Sequence, residues 1–214
     1  MDKNAIIEKR LRILGLLGIL GLISYAAMVF FSPLAYPGYD WVSMAVSELS
    51  ADGAPSQTLA EMLNCLYGPC GLVCVTAVCV ACGCCTSIVL RIGIYCFTSQ
   101  KWISDIGYKL FSWVKDAPSS NPQNVMHLVV TAFVVVLSVA GLILIIIGAR
   151  KEKMKSLGIC AIVCLAAMMC GPIGMGAMPK SVFGIFERFS VFSAVVFNAA
   201  LGWNLFKGRF GETK

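Results

Sequence analysis

Few residues in this chain are suited to chemistry. His127 is the only histidine, and imidazole is the side chain that ordinarily titrates near neutral pH. A carboxylate beside it, Glu48 or Glu187, would orient the ring for general acid–base work. Arg188 follows Glu187 directly and offers an anion a planar fork of donors. Lys101, Asp105 and Lys109 are four apart, so on a helix they fall on one stripe. Helical spacing of three and four likewise groups Glu61, Asn64, Gly68 and Gly71, with Tyr67 next to them. It also groups His127 with Thr131 and Ser138, and Glu187 with Ser190 and Asn198.

Other chemistries fit less well. A single histidine would leave a zinc site to carboxylates, against the usual ligand sets, so no metal and no cofactor is expected. Ser47 and Ser50 lack the glycine-flanked turn that exposes a hydrolytic nucleophile. Cys79-Val80-Ala81-Cys82 is a C-x-x-C pair, a spacing suited to redox or metal work. Yet the chain has 11 cysteines, an odd number, mostly inside apolar runs. There they read as small hydrophobes rather than as a disulfide framework.

The elements that must position these residues follow from composition. Hydrophobic residues make up 58% of the chain and charged residues 13%, against about 45–50% and 25% in soluble domains. The apolar residues come in blocks near the 20 or so needed to cross a roughly 30 Å hydrocarbon core as a helix. The expected fold is all-α: a polytopic membrane bundle of six transmembrane helices with both ends in the cytoplasm. The spans are expected at about 11–31, 59–85, 91–111, 125–149, 157–178 and 182–206. They form one domain, 11–207, between a short N-terminal segment, 1–10, and a basic tail, 208–214. The fifth is expected to be interrupted near its end by Gly171-Pro172. The first is too long for a signal-peptide core and lacks a small-residue cleavage pattern, so it reads as a retained span. Gly15, Gly18 and Gly21 would let it approach a neighbour closely.

The third span holds Gln100, Lys101, Ser104 and Asp105 and scores weakly by hydropathy. Charge placement argues for it. Cytoplasmic loops carry the excess of Lys and Arg. Six spans put Lys3, Lys9, Arg10, Arg12, Arg91, Arg150, Lys151, Lys153, Lys155, Lys207, Arg209 and Lys214 inside, leaving Lys109, Lys115, Lys180 and Arg188 outside. Five would put the basic 150–155 loop outside. These cations sit at helix ends and are not interleaved with aromatics, so the net charge of +6 does not indicate nucleic acid.

Several motifs in order resemble one family. They are Ser47-Glu48-Leu49-Ser50-Ala51-Asp52-Gly53-Ala54-Pro55, Asn64-Cys65-Leu66-Tyr67-Gly68, Arg91-Ile92-Gly93-Ile94-Tyr95, Ile106-Gly107-Tyr108-Lys109-Leu110-Phe111, Met126-His127-Leu128-Val129-Val130-Thr131 and Phe183-Gly184-Ile185-Phe186-Glu187-Arg188-Phe189. The resemblance, over about residues 10–207, is to the bacterial and archaeal six-span membrane proteins catalogued as domain of unknown function 998. It implies a six-helix fold in a bacterial or archaeal plasma membrane, and no reaction.

Placed on six spans, Glu48, Glu61, Asn64, Tyr67, Asp105, His127, Glu187 and Arg188 all fall toward the outer face. Polar faces in a membrane bundle turn inward, so a polar pocket is expected there, roofed by the 32–58 segment. Its occupant would be a membrane lipid or small amphiphile. The alternatives are a membrane enzyme using His127 with Glu48 or Glu187, and a structural or partner-binding component. Nothing in the sequence sets an oligomeric state.

Overall fold

A computed structural model of the chain describes residues 3–114, 117, 118 and 120–210. Lys115, Lys214 and the side chain of Lys3, each counted in the charge placement, lie outside the described residues. The described residues hold eight α-helices and no strand: α1 (Lys3–Leu14), α2 (Leu16–Phe31), α3 (Gln57–Asn64), α4 (Tyr67–Cys82), α5 (Ile88–Leu110), α6 (Pro122–Lys151), α7 (Lys155–Ala177) and α8 (Phe183–Phe206). Five stretches are long and apolar enough to cross a membrane: Ile7–Ala35, Gln57–Cys82, Pro122–Lys151, Lys155–Ala177 and Lys180–Phe206. Helix α5 has 23 residues, as does α7, but carries the charges noted above.

Breaks in the helices have local causes. Pro69 has no N–H to offer the Cys65 carbonyl, and the 59–85 stretch divides there into α3 and α4. The interruption expected at Gly171-Pro172 does not occur, since α7 runs through Pro172 to Ala177. Pro172 leaves the Met168 carbonyl without its i+4 donor. Ser190 of α8 supplies one, its hydroxyl donating to Met168 O at 2.8 Å. Borrowing a donor from a neighbouring helix is how membrane helices tolerate an internal proline.

The helices pack as antiparallel neighbours: α5 against α6, α6 against α7, α7 against α8, and α2 against both α4 and α8. The main core joins Val78, Leu90, Ile94, Phe97, Leu142, Ile145, Leu157, Phe197 and Leu201, with Phe97 and Phe197 edge to face at 4.9 Å. A second cluster, Tyr25, Met28, Val29, Val46, Leu49, Ala60 and Val195, sits under the 32–56 segment. That segment is therefore folded onto the bundle.

Both ends of the bundle are tied down. At one, the Glu152 carboxylate accepts from Thr86 Oγ1 at 2.9 Å and from Ser87 N at 2.5 Å, and Arg209 donates to Ser156. At the other, fully buried Asn124 holds the chain before α6. Its Oδ1 accepts from Val114 N, and its Nδ2 donates to the carbonyls of Val114, Ala117 and Pro118. The 32–56 segment lies at this second end, where Ile185 N donates to Val42 O.

Candidate functional site

The ionisable residues near the 32–56 segment form a clamp on its backbone. Glu48 accepts from Ala45 N at 3.0 Å, and Glu187 accepts from Val46 N at 2.6 Å. Arg188 Nη1 donates to the carbonyls of Trp41, Met44 and Gly184 at 2.7, 3.1 and 2.7 Å, and its Nη2 to Tyr39 Oη at 2.7 Å. The guanidinium also lies 4.7 Å from the Trp41 ring centroid, a cation–π distance. Burial pushes the Tyr39 phenol up to about 12 despite the adjacent Arg188 charge. The Ser43 hydroxyl and Val42 N–H hold the Asp40 carboxyl below its usual range.

Glu48, Glu187 and Arg188 thus come together, with their polar atoms spent mainly on main-chain groups. Bonds to a charged group contribute about 1.5–3 kcal/mol each. Arg188→Ala is therefore expected to release residues 39–46 and raise the rate of limited proteolysis there at least ten-fold. Arg188→Lys should recover little, because a point charge cannot span the same acceptors. Unchanged protection in both variants would refute the clamp.

His127 stands elsewhere. Its Nδ1 is 2.8 Å from the Phe111 carbonyl. A carbonyl only accepts, so Nδ1 carries a proton and donates it there. The ring lies against Tyr108 at 4.8 Å and Trp113 at 5.6 Å, and the residue's own carbonyl accepts from Thr131 Oγ1. Among the described residues no hydrogen bond or ion pair joins His127 to Glu48 or Glu187, so the acid–base dyad is not assembled. Glu61 is exposed and bonds Gln57 Nε2.

Two further candidates, Tyr67 and Asp105, meet around Lys101 inside the bundle. Lys101 Nζ and Asp105 Oδ1 are 2.6 Å apart, with the two side chains only 4% and 8% exposed. The ammonium sits 3.6 Å from the Tyr67 ring centroid, and Tyr67 packs on Tyr25 at 4.9 Å. Gly71 makes room for this: a Cβ there would lie 2.7 Å from Lys101 Cε and 2.9 Å from Asn198 Nδ2. Among the described residues, the buried oxygens without a partner include Asn64 Oδ1, Asp105 Oδ2 and Asn198 Oδ1.

Beside this cluster a groove of about 440 Å³ runs between α4 and α5, lined by Gly68, Pro69, Leu72, Asp105, Ile106, Lys109 and Leu110. Of the pocket residues expected from sequence, only Asp105 lines it. Two lining residues, Gly68 and Lys109, were not among those candidates, although both lie at i+4 from one of them, Asn64 and Asp105.

Among the described residues no group of three or more His, Cys, Asp or Glu side chains is arranged to hold a metal. All 11 cysteines are free thiols. Cys79 donates to Thr98 Oγ1 and Cys82 to Cys79 O, while burial pushes the Cys85 thiol up to about 11. A neutral, hydrogen-bonded thiol is a poor nucleophile.

No curated protein and no solved structure matches the chain. One family model does, that described as "Protein of unknown function (DUF998)", over residues 19–204. An apolar, multi-helix architecture and a family match across nearly its whole length make this chain an integral membrane protein belonging to the DUF998 family.

Proposed function

We propose that this protein crosses the cell membrane six times, with both termini in the cytoplasm, and binds a lipid or small amphiphile in the groove between α4 and α5. A sixth crossing by α5 is supported by its length, about 34 Å at 1.5 Å per residue, and by the neutralisation of its charged pair inside the bundle. The orientation rests on the basic end, which carries Arg12, Arg91, Arg150, Lys151, Lys155, Lys207 and Arg209. The groove then opens toward the outer leaflet.

One observation carries the binding reading. An apolar groove is lined by Asp105, whose second carboxylate oxygen, Oδ2, is buried and unpartnered. Buried polar atoms are ordinarily satisfied, and ionisable groups within membrane helices mark functional paths. A ligand with apolar tails and a donor on its head would fill both needs.

Gly68 is the means of testing it. A Cβ there would meet only Asp105, at 3.6 Å from Oδ2, an ordinary contact. Gly68→Leu would therefore place a side chain in the groove, starting from a Cβ that the site accepts. Native mass spectrometry of the protein in mild detergent is expected to find a retained lipid, depleted at least ten-fold in Gly68→Leu. Equal retention by both proteins would sink the reading.

A further inference from the structure

The chemistry of the groove wall goes further than a generic amphiphile. On the reading that the groove is occupied, we infer that its ligand is an anionic phosphodiester lipid with a hydroxylated head. A head hydroxyl donates to Asp105 Oδ2, and the phosphodiester pairs with Lys109.

Asp105 specifies the first half. Its Oδ1 is occupied by Lys101 at 2.6 Å, while Oδ2 faces Gly68 and has no partner. The side chain is 8% exposed and lines the groove, and the position beside Oδ2 is Gly68, which has no side chain to fill it. What arrives must donate a hydrogen bond. An ammonium could donate, but the Asp105 charge is already matched by Lys101. A second cation on the same carboxylate would face the Lys101 ammonium across it, in surroundings of low dielectric where like charges repel strongly. A hydroxyl satisfies Oδ2 and adds no charge.

Lys109 specifies the second half. It lies one helical turn from Asp105 toward the end of α5, is exposed, and lines the same groove. Among the described residues it has no carboxylate within ion-pair distance. Lys101, Asp105 and Lys109 together leave the wall with one unmatched positive charge. A phosphodiester carries one negative charge and balances it, whereas a zwitterionic head leaves the excess in place. Side chains four apart on a helix are about 5–6 Å apart at Cβ, the reach of a glycerol-type head from its phosphate to a hydroxyl. Leu72, Ile106 and Leu110 line the same groove for the acyl chains.

The test uses the full chain in mixed micelles, with equimolar phosphatidylglycerol, phosphatidylethanolamine, phosphatidylcholine and phosphatidylmethanol competing, read by native mass spectrometry. Phosphatidylmethanol keeps the phosphodiester charge and lacks the hydroxyl. The expected result is at least a ten-fold preference for phosphatidylglycerol over each of the others. In Lys109→Gln the preference over the two zwitterionic lipids should fall to the level of that over phosphatidylmethanol, which persists. A preference for phosphatidylethanolamine, or equal binding of phosphatidylmethanol and phosphatidylglycerol, would overturn the inference. If Gly68→Leu still lowers total bound lipid, amphiphile binding survives that failure. If Gly68→Leu changes nothing for any lipid, the groove reading fails and takes the inference with it. Thermal unfolding of both variants in detergent, expected to match the parent's, establishes that the comparison is made on folded protein.

Discussion

Lys101→Met is expected to destabilise the protein by about 3–5 kcal/mol, the usual cost of removing one partner from a buried ion pair. The reason is what it leaves behind. Asp105 would lose its only hydrogen-bond partner among the described residues and would be left buried without a counter-charge. Asp105→Leu should be comparably damaging, since it strands the ammonium with only the Tyr67 ring face, 3.6 Å from its centroid. The double variant Lys101→Met/Asp105→Leu should recover most of the loss, because an apolar pair of similar volume carries no desolvation penalty. Thermal unfolding in detergent would give the three values, and the non-additivity of the cycle isolates the pair. Equal stability of Lys101→Met and the parent would show that the charge is not confined as the geometry indicates. The same double variant separates the two roles of the pair. A purely structural pair predicts a folded double variant that still retains lipid, whereas a pair that also presents Oδ2 predicts a folded double variant that does not.

The cycle bears on what was legible in the chain. Lys101 and Asp105 could be joined from spacing alone, because an i,i+4 relation is fixed by the helix and owes nothing to the rest of the fold. The same holds for the long apolar helices, each readable from its own composition. What the residues do across helices was less accessible. Glu48, Glu187 and Arg188 gather as their positions at helix ends suggest, but their partners are main-chain groups of residues 41–46. Which of those groups lack partners depends on the turn conformation of the segment, and no side-chain pattern reveals it. His127 shared the end but not the wall: the Phe111 carbonyl, Tyr108 and Trp113 engage its ring. The uninterrupted α7 is a third case. Pro172 is a strong local signal for a break, and the Ser190 hydroxyl that compensates comes from another helix. Gly68 matters for the atoms it lacks, and its place beside Asp105 can be recognised only once α5 is seen facing it.

Glycines at helix crossings give the second large effect, with a gradient along one helix. In the main span of α2 and its entry, Gly15, Gly18 and Gly21 recur every three residues, yet the three positions are not equivalent. A Cβ on Gly15 would enter the shell of the Gly202 carbonyl oxygen and crowd Phe206 N at 3.0 Å. Reciprocally, a Cβ on Gly202 would strike the Gly15 carbonyl. Backbone cannot turn aside as a side chain can, so the two helices would have to separate. Between helices in lipid there is little hydrophobic drive to hold them together, and close packing is what remains. Gly15→Ala and Gly202→Ala are therefore expected to exceed the usual overpacking cost of about 1–3 kcal/mol and to abolish a cooperative thermal transition. Gly21→Ala should be mild, since its Cβ would sit 3.5 Å from Tyr67 O. At Gly176 nothing lies within 4 Å, and there alanine should stabilise by about 0.4–1 kcal/mol by restricting the unfolded chain. The discriminating observation is the order, with positions 15 and 202 severe, 21 mild and 176 of opposite sign. A uniform effect at all four would mean that alanine acts through helix propensity, and the close crossing of α2 and α8 would no longer be needed to explain the glycines.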